Sequence, residues 1–281
     1  MLMPGKELRV GLVGAGSIAQ IAELPALTAQ RGVTIAGVVT KTEQSARINM
    51  ERWPIEKRYE TFESMLGQAR LDAVFVLTPK QLHLPFVTTA LESGIDVFCE
   101  KPLATTLADA RAMAELAGRT GRILMVGFNR RYAEVYRLAR EEFRERPVQF
   151  CVAQKNRPGS EYRATLENAI HMIDLLRWFC GEAEAVTAHT TASDPYAEDG
   201  TIALIRFAGG AIGSRVAARP AGEWDERFDV YGHLTRLRVV ATHFVQTPRG
   251  GWASPTEVRP GAAGVARRQA TASVSPAGDR L

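Results

Sequence analysis

A glycine turn placed directly after an apolar run constrains the fold of this chain more than any other feature. Residues 8–13 read as a buried β-strand, and the pattern Gly14-Ala-Gly16-Ser-Ile-Ala19 follows at once. In this position Gly14 permits a tight turn, Gly16 lets a ligand approach the backbone, and Ala19 lets a helix pack closely on the strand. Free N–H groups at the helix start attract anions. We therefore expect a dinucleotide pyrophosphate to bind here, at Gly14, Gly16, Ser17, Ile18 and Ala19.

Apolar and amphipathic segments alternate through the first 126 residues. The pattern predicts strands at 8–13, 33–39, 73–77, 96–99 and 123–126, and helices at 17–29, 43–52, 82–92 and 106–119. Such alternation is typical of a parallel sheet with right-handed crossovers. We predict an α/β fold whose residues 1–127 form a doubly wound Rossmann domain for dinucleotide binding.

The pattern changes after residue 127. Helices are predicted at 132–144 and 166–180, and strands at 148–154, 186–191, 201–207, 211–217, 228–231 and 237–245. Gly209-Gly210 between two of these strands indicates a hairpin. Residues 128–245 are therefore expected to form an α+β substrate and oligomerisation domain on a mostly antiparallel sheet. Residues 246–281 are rich in Pro, Gly, Ala and Arg without a regular period, and we expect a disordered tail.

Composition excludes several classes of protein. The net charge is only +4 and basic residues are dispersed, which argues against nucleic-acid binding. No apolar run reaches the length of about 20 residues that a membrane span needs. Three scattered cysteines form neither a disulfide framework nor a zinc motif. We expect a cytoplasmic protein without a metal site, acting on a small molecule.

The end of the second predicted strand bears on cofactor choice. An acidic residue there would bind the ribose 2′-hydroxyl of NAD, whereas this chain has Thr40-Lys41. A neutral hydroxyl and a cation favour the 2′-phosphate of NADP, although Glu43 stands close enough to weaken the argument. NADP is the predicted cofactor and NAD the alternative.

Two further strand ends carry candidate residues. Thr78-Pro79 and Glu100-Lys101-Pro102 lie just beyond strands, where ligands bind in open α/β sheets. A partly desolvated Lys101 beside a nicotinamide is able to exchange a proton with a hydroxyl or carbonyl oxygen while hydride moves at carbon. The alternative for Lys101 is an ordinary solvated loop lysine.

One predicted helix in the second half also carries polar residues on one face. Glu167, His171 and Asp174 are spaced i, i+4 and i+7, so they share that face. A histidine between carboxylates acts as a general acid or base, or orients a hydroxyl; the alternative is a polar face with a satisfied histidine. Basic residues precede this helix and favour an anionic substrate, unless they are merely exposed: Lys155, Arg157 and Arg163.

Taken together, these motifs resemble the Gfo/Idh/MocA family of oxidoreductases across residues 8–180. The matching pieces are Val13 to Ala19, Thr78-Pro79 with His83, Glu100-Lys101-Pro102-Leu103-Ala104, Gly127 to Tyr132, and Ile170 to Asp174. The resemblance implies oxidation or reduction of sugars, polyols and related carbonyl compounds with NAD(H) or NADP(H). It implies that Lys101 is the catalytic acid/base, and that His171 and Glu167 lie near the substrate. It also implies cofactor contacts for Thr78, Pro79, His83 and Glu100, and substrate contacts for Asn129 and Arg130. Lys155 is expected to contact the substrate as one of the basic residues that precede the helix.

The chain also departs from the family pattern. Glu167 stands where many members have aspartate, and Lys80 stands where asparagine is common. We expect a C-terminal domain shorter than the family's, either truncated or completed by another subunit in a homodimer. A catalytically silent NAD(P)-binding sensor that acts through its C-terminal sheet is therefore the alternative function.

Overall fold

The structure is a computed structural model that describes residues 7–158, 163–193, 198–232, 235–240, 244–246 and 252–253. Contacts between backbone positions divide the chain into two units, Met1–Phe128 and Asn129–Leu281. No helix in the described ranges combines the length and apolar character needed to cross a membrane.

Six parallel strands form the sheet of the N-terminal unit. They are β1 (Leu8–Val13), β2 (Val33–Val39), β3 (Arg58–Tyr59), β4 (Ala73–Val76), β5 (Asp96–Cys99) and β6 (Leu124–Val126). Their order is β3-β2-β1-β4-β5-β6, and every neighbouring pair is parallel. This is the doubly wound Rossmann arrangement, so the predicted fold class is confirmed.

Helices connect these strands, and two separate groups of buried apolar side chains pack in this unit. The helices are α1 (Leu24–Thr28), α2 (Glu43–Arg52), α3 (Phe62–Gln68), α4 (His83–Glu92) and α5 (Leu107–Thr120). Three of them begin after a threonine whose hydroxyl accepts a backbone N–H: Thr42, Thr61 and Thr106. The sequence patterns missed β3 and α3, because a two-residue strand and a seven-residue helix are too short for a clear period.

The first predicted helix, at 17–29, is wound in two ways. Residues Ala19–Glu23 form a π-helical segment in which the Leu24 N–H donates to the Ala19 carbonyl. Pro25 follows at the start of α1 and has no N–H to donate. A proline at this point interrupts regular α-helical bonding, which accounts for the change in winding.

The C-terminal unit is built on an eight-stranded sheet. Its helices are α6 (Glu134–Glu142) and α7 (Ile170–Cys180). Its strands are β7 (Phe150–Asn156), β8 (Ala183–Thr191), β9 (Gly200–Phe207), β10 (Ile212–Ala218), β11 (Asp225–Gly232), β12 (Thr235–Val240), β13 (Phe244–Gln246) and β14 (Trp252–Ala253). The order is β14-β13-β12-β11-β7-β10-β9-β8. Among the strands that the structure describes here, only β7 and β10 pair in parallel, so the mostly antiparallel sheet is also confirmed.

Side chains alternate across this sheet between a covered and an open face. In β9, Ala203, Ile205 and Phe207 are buried, and Ile205 and Phe207 pack in a core with residues of α6 and α7. Ile202 and Leu204 point the other way and are 59% and 55% exposed. One face of the sheet is therefore packed on helices, and the other carries exposed apolar side chains.

The predicted tail, residues 246–281, lies mostly outside the described residues. Within it, the short strand β14 continues the sheet by pairing with β13. The predicted division into residues 1–127, 128–245 and 246–281 stays a prediction.

Candidate functional site

The turn after β1 leaves no room for a side chain at its first glycine. Gly14 has φ of 91°, and a Cβ placed on it would lie 2.8 Å from the Leu77 carbonyl oxygen. Around Gly16, by contrast, a Cβ would meet no atom within 4 Å. The first glycine thus permits close packing between two strand ends, and the second leaves open space against the backbone.

The helical segment that follows this turn packs on the sheet with one face and leaves its other face exposed. Ala19 is fully buried, whereas Ser17 is exposed and Ile18 is 40% exposed. The Gln20 N–H donates to the Gly16 carbonyl, so the N–H groups before Gln20 are at the free end of the helix. Open backbone and free N–H groups fit a pyrophosphate.

The end of β2 carries the hydroxyl of Thr40 and, next to it, the ammonium group of Lys41. The Thr40 hydroxyl donates to the Thr42 carbonyl at 2.7 Å, and Lys41 is exposed. Glu43 begins α2, and its Oε2 lies 4.0 Å from Nη1 of Arg58. Arg58 therefore lies beside Glu43, the acidic residue that weakens the prediction of NADP. The sequence motifs did not point to Arg58.

His83 joins two of the loops that carry candidate residues. It is buried at the start of α4, with Nδ1 3.0 Å from the Pro102 carbonyl oxygen and Nε2 2.9 Å from the Thr78 carbonyl oxygen. Both ring nitrogens therefore face main-chain oxygens. This geometry holds the loop after β4 against the loop after β5. The sequence predicted a cofactor contact for His83, and the structure adds this positioning role.

The hydroxyl of Thr78, in the loop after β4, is available for a hydrogen bond to a ligand. This buried hydroxyl has no hydrogen-bond partner within the described ranges. A buried hydroxyl of this kind is uncommon unless a ligand or water completes it. Together with the open backbone at Gly16, it fits a dinucleotide lying over the ends of the strands.

The loop after β5 holds Glu100 and Lys101. The Lys101 N–H donates to Glu100 Oε2 at 3.0 Å. A Cβ on Gly127 would lie 2.8 Å from Glu100 Oε1, so the carboxyl packs directly on the backbone after β6. Burial raises the pKa of Glu100, against the opposing effects of the Lys101 N–H and the Lys101 charge. The half-buried Lys101 thus lies in the field of the half-buried Glu100 carboxyl group.

In the C-terminal unit, the polar residues predicted to share one face of α7 do not all have the same environment. Arg131 binds the carboxylate of Asp174 through two hydrogen bonds, Nε to Oδ2 at 2.7 Å and Nη2 to Oδ1 at 2.6 Å. The hydrogen bonds that Arg131 donates to Asp174 raise the pKa of Arg131. Asp174 is thus engaged in anchoring α7, whereas His171 is buried and Glu167 is half-buried near its start.

The start of this helix also differs from the prediction. Residues Ala164–Asn168 are π-helical, and the Ala169 N–H donates to the Ala164 carbonyl at 2.9 Å. Asn168, three residues before His171, donates from Nδ2 to the Lys155 carbonyl at 3.3 Å. This bond ties the helix that carries His171 to strand β7.

Three charged side chains from distant parts of the chain meet at strand β7, namely Arg130, Lys155 and Glu226. Glu226 on β11 is fully buried and accepts hydrogen bonds from Arg130, Nε to Oε1 at 3.1 Å and Nη2 to Oε2 at 2.9 Å. Lys155 donates to the same carboxylate, and its Nζ lies 5.7 Å from the centre of the Trp224 ring. Burial tends to raise the pKa of Glu226, but the Arg130 bonds and the Lys155 charge outweigh it and lower the pKa.

Glu226 is the residue of this group that sequence reasoning missed. Its only sequence signal is its register on β11, where the neighbouring inward position is the buried Phe228. Lys155 and Arg130, predicted as substrate residues, are thus ion-paired, and Asn129 accepts a bond from Arg130 Nη1 at 2.9 Å. Within the described ranges, no group of three or more His, Cys, Asp or Glu side chains is arranged to hold a metal ion.

The strand order and the glycine turn define a dinucleotide-binding protein of the Rossmann class. A family model described as "Oxidoreductase family, NAD-binding Rossmann fold" matches residues 8–128, and one described as "GFO/IDH/MocA C-terminal domain" matches residues 109–238. The chain is 30% identical to 1,5-anhydro-D-fructose reductase of Ensifer adhaerens over 80% of its own length and 73% of that protein. The chain therefore belongs to the Gfo/Idh/MocA family of oxidoreductases, as its motifs predict.

Other relatives extend this comparison. The rhizopine catabolism protein MocA of Rhizobium meliloti is 28% identical over 86% of this chain and 87% of that protein. The chain covers a smaller part of two other relatives: 57% of the length of the putative oxidoreductase YceM of Salmonella typhimurium, and 54% of the length of the inositol 2-dehydrogenase of Paracoccus denitrificans. Among solved structures, the WlbA dehydrogenase of Bordetella pertussis in complex with NADH and UDP-GlcNAcA has a TM-score of 0.78 at 22% identity. That match covers 90% of this chain and 79% of the WlbA chain, and it supports the fold.

Proposed function

We propose that this protein is an NAD(P)-dependent oxidoreductase that interconverts a hydroxyl and a carbonyl group on a sugar-like or polyol-like molecule. The observation that carries the proposal is the position of Lys101, just after β5 and next to the half-buried Glu100 carboxyl. The glycine turn of the same sheet fits a dinucleotide. The bound nicotinamide would supply or accept the hydride. The similarity to 1,5-anhydro-D-fructose reductase supports the substrate class.

Lys101 is proposed as the acid/base of this reaction. In the direction of oxidation its neutral amine takes the proton of the substrate hydroxyl as hydride leaves the same carbon; in reduction its ammonium returns the proton to the carbonyl oxygen. The bonds made by His83 hold the loop before Pro102 against the loop at Thr78. We propose that His171 and Glu167 orient the substrate, with Asn168 fixing the start of their helix on β7.

A nicotinamide absorbance assay against a panel of sugars and polyols, in both directions, tests this proposal. We expect turnover with at least one member of the panel. Gly14→Val serves as the negative control, since a side chain there would collide with the Leu77 backbone and prevent the turn. Dinucleotide binding without turnover across the panel would overturn the proposal in favour of a silent sensor.

NADP is proposed as the preferred cofactor. Thr40-Lys41 offers no carboxylate to the ribose 2′-hydroxyl, and Arg58 lies beside Glu43. We expect tighter binding of NADP(H) than of NAD(H), and a reversed preference in Lys41→Asp. Titrations of both dinucleotides into the parent and the variant measure this. Arg111→Asp, which reverses the charge of an exposed residue on α5 of the same unit, is the control and should leave the preference unchanged. Equal affinities in the parent would defeat the prediction.

A homodimer is proposed through the open face of the C-terminal sheet. Apolar side chains on three neighbouring strands are exposed on this face: Ile202, Leu204, Ile212 and Phe150. Exposed apolar patches of this kind are usually covered by a partner. Light scattering at micromolar concentration should show a dimer for the parent and a monomer for Leu204→Lys. Ile123→Lys, at an exposed position of the N-terminal unit, should remain dimeric. A monomeric parent would contradict this proposal.

A further inference from the structure

An apolar pocket of about 580 Å³ lies on the helix side of the C-terminal sheet. Its walls come from α7 and from the inward-facing positions of β9, including Ile173, Leu176, Ile205 and Phe207. Strand β8, whose side chains are all exposed, forms its outer side with Val186, Ala188 and Thr190. The pocket is thus bounded by described residues of a single unit, and it contains neither His171 nor Lys101 among its lining residues.

One buried cation lines this pocket. Arg215 on β10 is 3% exposed, and its Nη2 donates to the Thr165 hydroxyl at 3.0 Å. Its Nη1 is buried and has no hydrogen-bond partner within the described ranges. A buried guanidinium nitrogen without an acceptor is unfavourable, because burial removes the water that would otherwise bind it. An acceptor entering the pocket would therefore be stabilised.

The nearby carboxylate of Glu198 does not accept a hydrogen bond from Arg215 Nη1. Glu198 accepts bonds from the Thr165 N–H at 3.2 Å and from the hydroxyls of Thr165 and Thr201. These bonds hold Glu198 ionised: burial opposes ionisation, but they lower its pKa overall. Two further arginines line the pocket, Arg163 and Arg177, and Arg177 is paired with Glu182. The charges of Arg163, Arg215 and Glu198 therefore add up to a single positive charge, which one carboxylate balances.

We propose that this pocket binds a small amphipathic monoanion, a carboxylate with an apolar chain, at a site separate from the dinucleotide site. The carboxylate would accept the free N–H of Arg215 Nη1, and the chain would lie along the apolar walls of α7 and β9. A monocarboxylate matches both features, the Arg215 Nη1 that has no partner among the described residues and the single positive charge left beside Glu198. The volume is within the range of small-molecule pockets.

Calorimetric titration with octanoate tests the proposal on the full chain. We expect saturable binding that 1-octanol does not reproduce, because the alcohol lacks the anionic acceptor. Arg215→Gln should weaken octanoate binding by about ten- to a hundredfold, the loss expected for one hydrogen bond to a charged group. Tighter binding of octyl phosphate than of octanoate would contradict the monoanion, and absence of saturable binding to the parent would overturn the site.

A second pair of variants keeps the test valid if Arg215→Gln fails to fold. Ala188→Phe fills the pocket from an exposed strand position and should abolish octanoate binding. Thr187→Phe places the same side chain on the opposite face of β8, since neighbouring strand positions alternate, and should leave binding unchanged. Circular dichroism and dinucleotide titration verify that both variants are folded. Octanoate binding that survives Ala188→Phe would place the ligand elsewhere and overturn the proposal.

Discussion

Replacing Lys101 by alanine is expected to lower turnover by about 10²–10⁴-fold, the usual effect of losing a positioned acid/base. Dinucleotide affinity should stay within a few-fold of the parent, because the pyrophosphate is expected at Gly14 and Gly16 on a different strand end. Single-turnover hydride transfer, followed by nicotinamide absorbance with a substrate from the panel, is the measurement. It separates the chemical step from binding and product release.

Two further variants make this result specific. Lys101→Arg keeps the positive charge but should not restore turnover, since a guanidinium does not release its proton near neutral pH. Lys57→Ala removes a lysine that binds Gln68 elsewhere in the same unit, and it should leave the rate unchanged. Equal rates in the parent and Lys101→Ala would remove Lys101 from the mechanism and leave His171, with Glu167, as the remaining acid/base candidate.

Replacing Glu226 by alanine is expected to reduce the free energy of unfolding by about 3–5 kcal/mol, the cost of leaving the buried Lys155 and the half-buried Arg130 without their anion. Glu226 has no exposed side-chain surface, and it is the shared partner of Arg130 and Lys155. Urea unfolding followed by circular dichroism measures the loss. Glu182→Ala breaks an exposed pair with Arg177 and should cost no more than about 1 kcal/mol. Similar losses in the two variants would contradict the role of the buried group.

The same substitution should change how stability depends on pH. The pKa of Glu226 is lowered in the folded state from its ordinary value of 4.5. Its contribution is therefore complete above 4.5 and is lost as the pH falls below that value through the folded pKa. The difference in unfolding free energy between the parent and Glu226→Ala should narrow over this acid range. A difference that is constant from neutral to acid pH would indicate lost packing rather than lost charge.

Local features of the sequence determined the fold class and the family. The glycine turn, the alternation of strands and helices, and the hairpin at Gly209-Gly210 depend on residues that are close together in the chain. Their physics is local: glycine permits unusual backbone angles, and side-chain period follows from helix or strand geometry. For the same reason β3 and α3 escaped prediction, since each is too short to repeat its period.

Only the tertiary structure decided which charged residues are partners. Arg130 and Glu226 are 96 positions apart, and Arg131 and Asp174 are 43 apart. Sequence reasoning grouped Asp174 with His171 by helix spacing, but packing brings Arg131 to its carboxylate. It predicted Lys155 as a substrate residue or an exposed basic residue, whereas β7 and β11 pair so that Lys155 meets Glu226 in the interior. Spacing along one helix or strand is fixed by local geometry, but pairing between elements is fixed by how their buried faces pack together. The motifs of this sequence were therefore sufficient to predict its fold and family, and the partners of its buried charges became visible only in the folded chain.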